Sequence, residues 1–333
     1  TVIDIDNKKY NIDLDDILYE LEYKENDIYS KEVLVQSENR LNRIAILENA
    51  RIVLSDIDTV NNHINFKIVG SVRNKYEIQP EILAYYISNS MFGGIGLTFS
   101  DKYFLKDPRT FSIKARALAN SLENYRLELI LELFQPHIFN NNKITGSNNL
   151  SAAIFSIDDF RIEEIKNKAS INYELPRYTY LNNFTLDWNL KNQRVTFKYP
   201  LLGYNEDDSS FSTIPTGAFV NIFSSILGLT LVHSRIDNFQ FPTGGIYQSF
   251  LVEESGLLGT AISKLFDIST VNYVKLSFIN KYYIPITSRP DKSTIATKFL
   301  IGNIFEYGDN SLKLSTSDED YTLDVVPIDS RFI

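Results

Sequence analysis

The residue types that could do chemistry in this chain are paired carboxylates, three histidines and one glycine cluster. Adjacent acids stand at Asp158-Asp159, Glu163-Glu164, Glu206-Asp207-Asp208, Glu253-Glu254 and Asp318-Glu319-Asp320. Two carboxylates facing each other across a cleft are all that a glycoside hydrolase requires. Neighbouring acids in a strand point to opposite faces, however, and acid runs in loops are solvated. Asp4-x-Asp6 and Asp56-x-Asp58 offer oxygen ligands for calcium but lack the Gly and Glu that continue an EF-hand loop.

His63, His137 and His233 have no second His at metal-ligand spacing, and HExxH is absent. They are expected to be solvated or hydrogen-bonded structural residues. No GxSxG elbow is present to place a serine nucleophile. The stretch NSMFGGIGLTFS (89–100) holds three glycines, but no Gly-Lys pair follows to meet a phosphate. Glycines that allow positive φ or close chain approach explain it better, so a tight turn before a strand is predicted there. Tyr178, Tyr180, Trp188 and Tyr199 could stack on sugar faces; their alternative role is as alternating inward residues of a sandwich. No catalytic residue, cofactor or metal set is assigned.

The elements that would hold such groups are mostly strands. The chain has 20 Tyr and 22 Phe, and aromatic residues suit pleated surfaces. Alternation marks INFKIVGSV (64–72) and RLELILELF (126–134), then INYEL (171–175), YTYLNNFTLDWNL (178–190), RVTFKY (194–199), YVKLSFIN (273–280), YYIPI (282–286), TKFLIGNIF (297–305), SLKLS (311–315) and YTLDVV (321–326). TVIDIDNKKYNID reads as a hairpin turning near Asn7-Lys8. Helices are predicted over Leu14–Leu21 with Asp13 as N-cap, over 81–91 after Pro80, and over 112–125 with Ser112 as cap.

Polar breaks fall at Phe139–Asn149 and Gly203–Thr213. The first divides the chain into domains at 1–143 and 150–333. Many short strands on each side predict a mainly β fold of two consecutive jelly-roll-like sandwich or barrel domains with a few short helices. Residues 209–252 carry only Arg235, Asp237 and no other formal charge. Pro215, Asn221 and several Ser and Thr interrupt this run, so it does not make a membrane-spanning helix. It reads instead as core and subunit interface, with Phe211, Phe219, Phe223, Ile226, Leu229, Phe239, Phe241, Tyr247 and Phe250 as the contact residues. The tripeptide PTG recurs at 215–217 and 242–244, which is too short to define a repeat.

With no Cys, a disulfide framework and thiol chemistry are excluded. The first residues carry neither a basic nor an apolar signal segment. A net charge of −9 with scattered basic residues argues against direct nucleic-acid contact. The sequence therefore predicts a non-enzymatic, self-assembling subunit of a virus or phage particle, most simply a double jelly-roll capsid protein assembled in a host cytoplasm. Its partners would be copies of itself, for example in a trimer, and other particle proteins, with membrane contact not expected. The alternatives are a glycan-binding tail, baseplate or adhesin protein and a glycoside hydrolase.

Overall fold

The computed structural model describes residues 2–5, 12–24, 27–60, 63–87, 90–139, 141–157, 160–176, 178–205, 210–214, 216–237, 241–257, 259, 269–286, 293–308, 311–315 and 320–324. The chain divides into two compact units. Unit 1 takes residues 1–82, 95–115 and 130–147; unit 2 takes 83–94, 116–129 and 148–333.

Unit 1 contains a three-stranded sheet in the order β1-β3-β2, from β1 (Val2–Ile5), β2 (Leu47–Asp58) and β3 (His63–Val72). Two helices lie between β1 and β2: α1 (Leu14–Tyr19) and α2 (Lys31–Leu41). α1 starts where the sequence places it, because the Asp13 carboxylate accepts the Asp15 N–H at 3.1 Å. Ile17, Leu41, Ile44, Ile46 and Ile68 close the core, together with Tyr103. The β2–β3 register shifts between Glu48 and Arg51, and Asn49 lies at φ 53°. This bulge takes the backbone of Ala50 off the ladder. Asn42, the C-cap of α2, replaces the lost partners. Its side-chain amide donates to the Ala50 carbonyl at 2.7 Å and its oxygen accepts the Ala50 N–H at 3.1 Å.

β1 pairs parallel with β3; the turn of the expected hairpin at Asn7-Lys8 and most of its second arm lie outside the described residues.

All but two of the remaining strands join one large sheet. Its main path contains β4 (Tyr76–Ile87), β5 (Ser90–Phe104), β6 (Arg109–Ala119), β7 (Tyr125–Gln135), β8 (Ile144–Ile157), β9 (Phe160–Glu174), β10 (Asn183–Phe197), β13 (Phe219–Ile236), β14 (Gly245–Ser255), β16 (Tyr273–Pro285) and β17 (Thr294–Glu306), hydrogen-bonded in that order. β11 (Leu201–Asn205) and β12 (Ser210–Ile214) form a separate hairpin. β13 outruns β14, whose last residue pairs with Ile226. The edge left over is covered by β15 (Ser269–Thr270) at Ile222–Phe223 and by β18 (Ser311–Ser315) at Phe219–Val220; β18 pairs onward with β19 (Asp320–Asp324).

This order corrects the expectation of two jelly rolls. A jelly roll returns strands to a second sheet so that two apolar faces pack together. Here strands adjacent in the chain are adjacent in one antiparallel sheet, and the Asn-rich break at 139–149 is only the connection from β7 into β8. Several expected strands are halves of longer ones: 178–190 and 194–199 merge in β10, and 273–280 and 282–286 merge in β16. The helices expected at 81–91 and 112–125 are strands β4 and β6. Pro80 fits because β4 ends the sheet path, where a missing N–H donor is tolerated. The glycines of 89–100 lie inside β5 rather than in a turn. A Cβ on Gly94 would come within 2.2 Å of the Ala117 carbonyl oxygen and 2.8 Å of the Leu118 Cα.

Two outcomes follow for stability. Gly94→Ala should cost about 2–3 kcal/mol, because only backbone could move aside, while Gly93→Ala should be near neutral; Gly93 has nothing within 4 Å of an added Cβ. Asn42→Ala should cost about 2 kcal/mol, since it strands both polar groups of the fully buried Ala50. Denaturant titrations of the variants measure both.

Candidate functional site

Residues directly opposite in an antiparallel pair share a face of the sheet, so the register of unit 2 sorts its side chains into two sets. In one set Leu186 stands between Ile171 and Leu229, and Trp188 between Ala169 and Leu227. Phe250 stands between Leu231 and Phe278, and Phe278 faces Ile301. This face is apolar from β9 to β17. It is also uncovered: Trp188 is 42% exposed, Phe299 58% and Phe305 52%. Ser225, on the same face, is buried beneath Trp188 and accepts its indole N–H at 3.1 Å.

The opposite face carries charge. Glu164 reaches Lys166 at 3.5 Å and Lys191 at 3.4 Å, so one carboxylate lies between two lysines that the register sets against each other. Lys168 pairs with Asp187 at 3.6 Å and Lys275 with Glu253 at 3.3 Å. Lys166, Lys168, Asp187, Lys191, Glu253 and Lys275 line a concave space of about 210 Å³ with Asn189, Gln193 and Tyr273. Gly228 keeps it open, since it sits between Asp187 and Glu253 without a side chain of its own. Farther along the sheet, Glu128 pairs with Arg126 at 3.0 Å and Arg116 at 3.9 Å, while Leu127 and Leu129 alternate with them and are exposed. The arrangement therefore separates solvents: one side suits an apolar medium and the other suits water and charged chains.

The residues singled out from sequence do not gather in one patch. Phe219, Phe223 and Leu229 of β13 and Phe250 of β14 belong to the apolar set. Ile226 falls on the polar side at the concave space, and Tyr247 shares that side, with the Lys281 ammonium 5.1 Å from its ring centre. Phe241 is exposed in the β13–β14 connection; the Phe211 side chain and Phe239 lie outside the described residues. Tyr178 and Tyr180 precede β10, Trp188 sits within it and Tyr199 follows it, so they form no common platform.

Glu163 and Glu164 point to opposite faces, as do Glu253 and Glu254, in the way neighbouring strand residues must. Asp158, Asp159, Glu206, Asp207, Asp208, Asp318 and Glu319 lie outside the described residues. Asp4 pairs with Lys67 at 2.7 Å, and Asp56 and Asp58 accept backbone N–H groups of Ile57 and Val60. Among the described residues no group of three or more His, Asp or Glu is placed to hold a metal ion. His233 is buried and bonded to the Tyr180 carbonyl, with the two rings stacked. His137 bonds the Glu20 carboxylate, a partner 117 residues away that no spacing rule reveals. Among the described residues no helix is long and apolar enough to cross a membrane, a criterion that does not apply to strands.

Comparison with known proteins accounts for the two-faced sheet. Residues 93–333 match the family model of the Omp85 superfamily domain. No curated protein matches the chain in sequence. Two solved structures share the fold. One is BamA from Haemophilus ducreyi lacking POTRA domains 1–3, with a TM-score of 0.55 and 12% identity over 92% of this chain and 55% of that one. The other is CdiB from Escherichia coli, with a TM-score of 0.57 and 13% identity over 92% of this chain and 54% of that one. The chain spans about half the length of these structures. The family match overturns the expectation of a capsid subunit located in a virion: Phe219, Phe223, Leu229 and Phe250, read as part of a contact surface between capsid subunits, belong to a sheet face continuous across many strands. The model covers well over half of the sequence, and the chain belongs to the Omp85 superfamily.

Proposed function

We propose that this chain is a membrane-embedded β domain of the bacterial outer membrane, that its apolar face meets lipid, and that its polar face lines a path for polypeptide being inserted or transported. It performs no catalytic step. The observation that carries this reading is an exposed face, apolar along the middle of the strands, opposite a charged one across β9, β10, β13, β14, β16 and β17. Membership of the Omp85 superfamily supports the polypeptide path.

Dimensions agree. These strands run from 11 to 18 residues, and a transmembrane strand needs about 9–11 when tilted. Aromatic rings of the apolar face gather toward both strand ends: Tyr173, Phe184 and Tyr282 at one, Phe219 and Phe305 at the other. Interfacial girdles of aromatic residues have this placement. Backbone pairing is satisfied strand to strand, which a hydrocarbon medium demands.

The single Trp of the chain gives a direct test. After reconstitution into vesicles, Trp188 fluorescence should be quenched by lipids brominated along the acyl chain and spared by iodide in the aqueous phase. Iodide quenching without lipid quenching would overturn the reading. A second test uses neighbouring positions on β13. Leu229→Arg should destabilise the vesicle-inserted chain by about 2–4 kcal/mol, whereas Thr230→Arg, on the polar face, should cost less than about 1 kcal/mol. Equal costs in reversible unfolding from vesicles would contradict the assignment of faces.

A further inference from the structure

Unit 1 holds a buried polar cluster that plays no part in the membrane reading. Glu20 follows α1 and has no exposed surface (0%). Its Oε1 lies 3.0 Å from Nδ1 of His137 in the β7–β8 connection. The His137 ring in turn rests 4.9 Å, centre to centre, from the ring of Tyr19. Four further contacts tie the same two regions and the end of β5. Asn142 donates to the Tyr19 carbonyl at 3.0 Å, and Lys143 pairs with Glu22 at 3.3 Å. The Tyr103 hydroxyl donates to Asp16 at 2.7 Å and accepts the Asp13 N–H at 3.2 Å.

We propose that this cluster is a proton-operated latch: a charged His137 against Glu20 holds α1 onto the strand connections, and loss of that proton releases it. The physical ground is asymmetry among the contacts. The Lys143–Glu22 and Tyr103–Asp16 contacts are partly exposed, so water solvates their polar groups. Glu20 cannot reach water, so an ionised Glu20 beside a neutral imidazole is a buried charge without a counter-charge.

The groups facing His137 all favour its charged form: Glu20 and Asp16 from the α1 region, and Asp107 from the β5–β6 connection. The hydrogen bond from Glu20 is the largest influence; burial opposes it, and the charges of Glu20, Asp107 and Asp16 add to it, leaving His137 above its ordinary 6.5. A histidine raised in the folded state contributes stability that is complete below its unfolded value and is lost as pH rises through the folded one. The latch is therefore closed in mild acid and opens on the alkaline side of 6.5.

The chain has no Cys, so cysteines placed at Leu18 on α1 and Leu105 in the β5–β6 connection, both exposed, can carry spin labels without interference. Distances are then measured by pulsed electron resonance on the full chain folded in detergent. The expected result is one narrow distribution at about pH 5.5 that broadens by about pH 8.5, with a midpoint above 6.5. His137→Asn should abolish the pH dependence, and Tyr103→Phe should retain it. If His137→Asn does not fold, Glu20→Gln serves instead, moving the midpoint down from the wild-type position. An unchanging wild-type distribution, or a transition that survives unshifted in His137→Asn or Glu20→Gln, overturns the proposal. The outcome does not depend on whether the sheet of unit 2 meets lipid.

Discussion

The continuous ladder of backbone hydrogen bonds from β4 to β17 is the constraint on which the rest depends. Once each strand satisfies its neighbour's peptide groups, side chains need not be buried against a second layer to dry the backbone. The two faces are then free to meet different solvents. That freedom lets Trp188 and Phe299 stay exposed while Lys191 and Glu164, on neighbouring strands of the same sheet, form ion pairs on the other side. In a water-soluble sandwich the same alternation would have to bury its apolar half.

Much of the secondary structure was legible and the architecture was not. Asp13 capping α1 and the strand patterns at 64–72, 126–134 and 297–305 are local, and the structure has them. Alternation marks a strand but does not say which set faces inward, so a sandwich core and a lipid-facing surface look the same in sequence. Polar residues within β10, such as Asn192 and Gln193, read as a break between two short strands; in the fold they sit mid-strand, paired with Ile165 and Glu164. In β6, Ala115, Ala117 and Ala119 suggested helix, yet their two-residue spacing puts them all on one strand face. The helix α2 went unread altogether, its apolar positions being few and mixed with Glu, Gln, Ser and Asn.

Function was less legible still. The contact residues proposed across 209–252 were chosen for apolarity alone, and strand parity distributes them between opposite faces: Leu229 with Leu186 on one, Ile226 with Asn189 on the other. The informative feature of that stretch was the run of Phe219, Phe223, Leu227, Leu229 and Leu231 on one parity, a signal visible only once the register is known. The lysines and carboxylates of the polar face are scattered from Glu164 to Lys275, and only pairing of five strands brings them together. The Glu20–His137 contact joins the α1 region to a strand connection far along the chain, which no local pattern encodes.

The pairing of Glu253 with Lys275 does something the apolar face cannot. Sliding β16 by one residue along β14 would turn every side chain to the wrong face, an error that hydrophobicity alone rejects. Sliding it by two restores the faces, and an apolar surface hardly distinguishes that alignment from the native one. The two-residue slip would, however, set Glu253 opposite Tyr273 or Ser277 and leave Lys275 facing Leu251 or Ser255. One ion pair thus acts as an alignment mark, selecting among assemblies that the surrounding medium would accept equally.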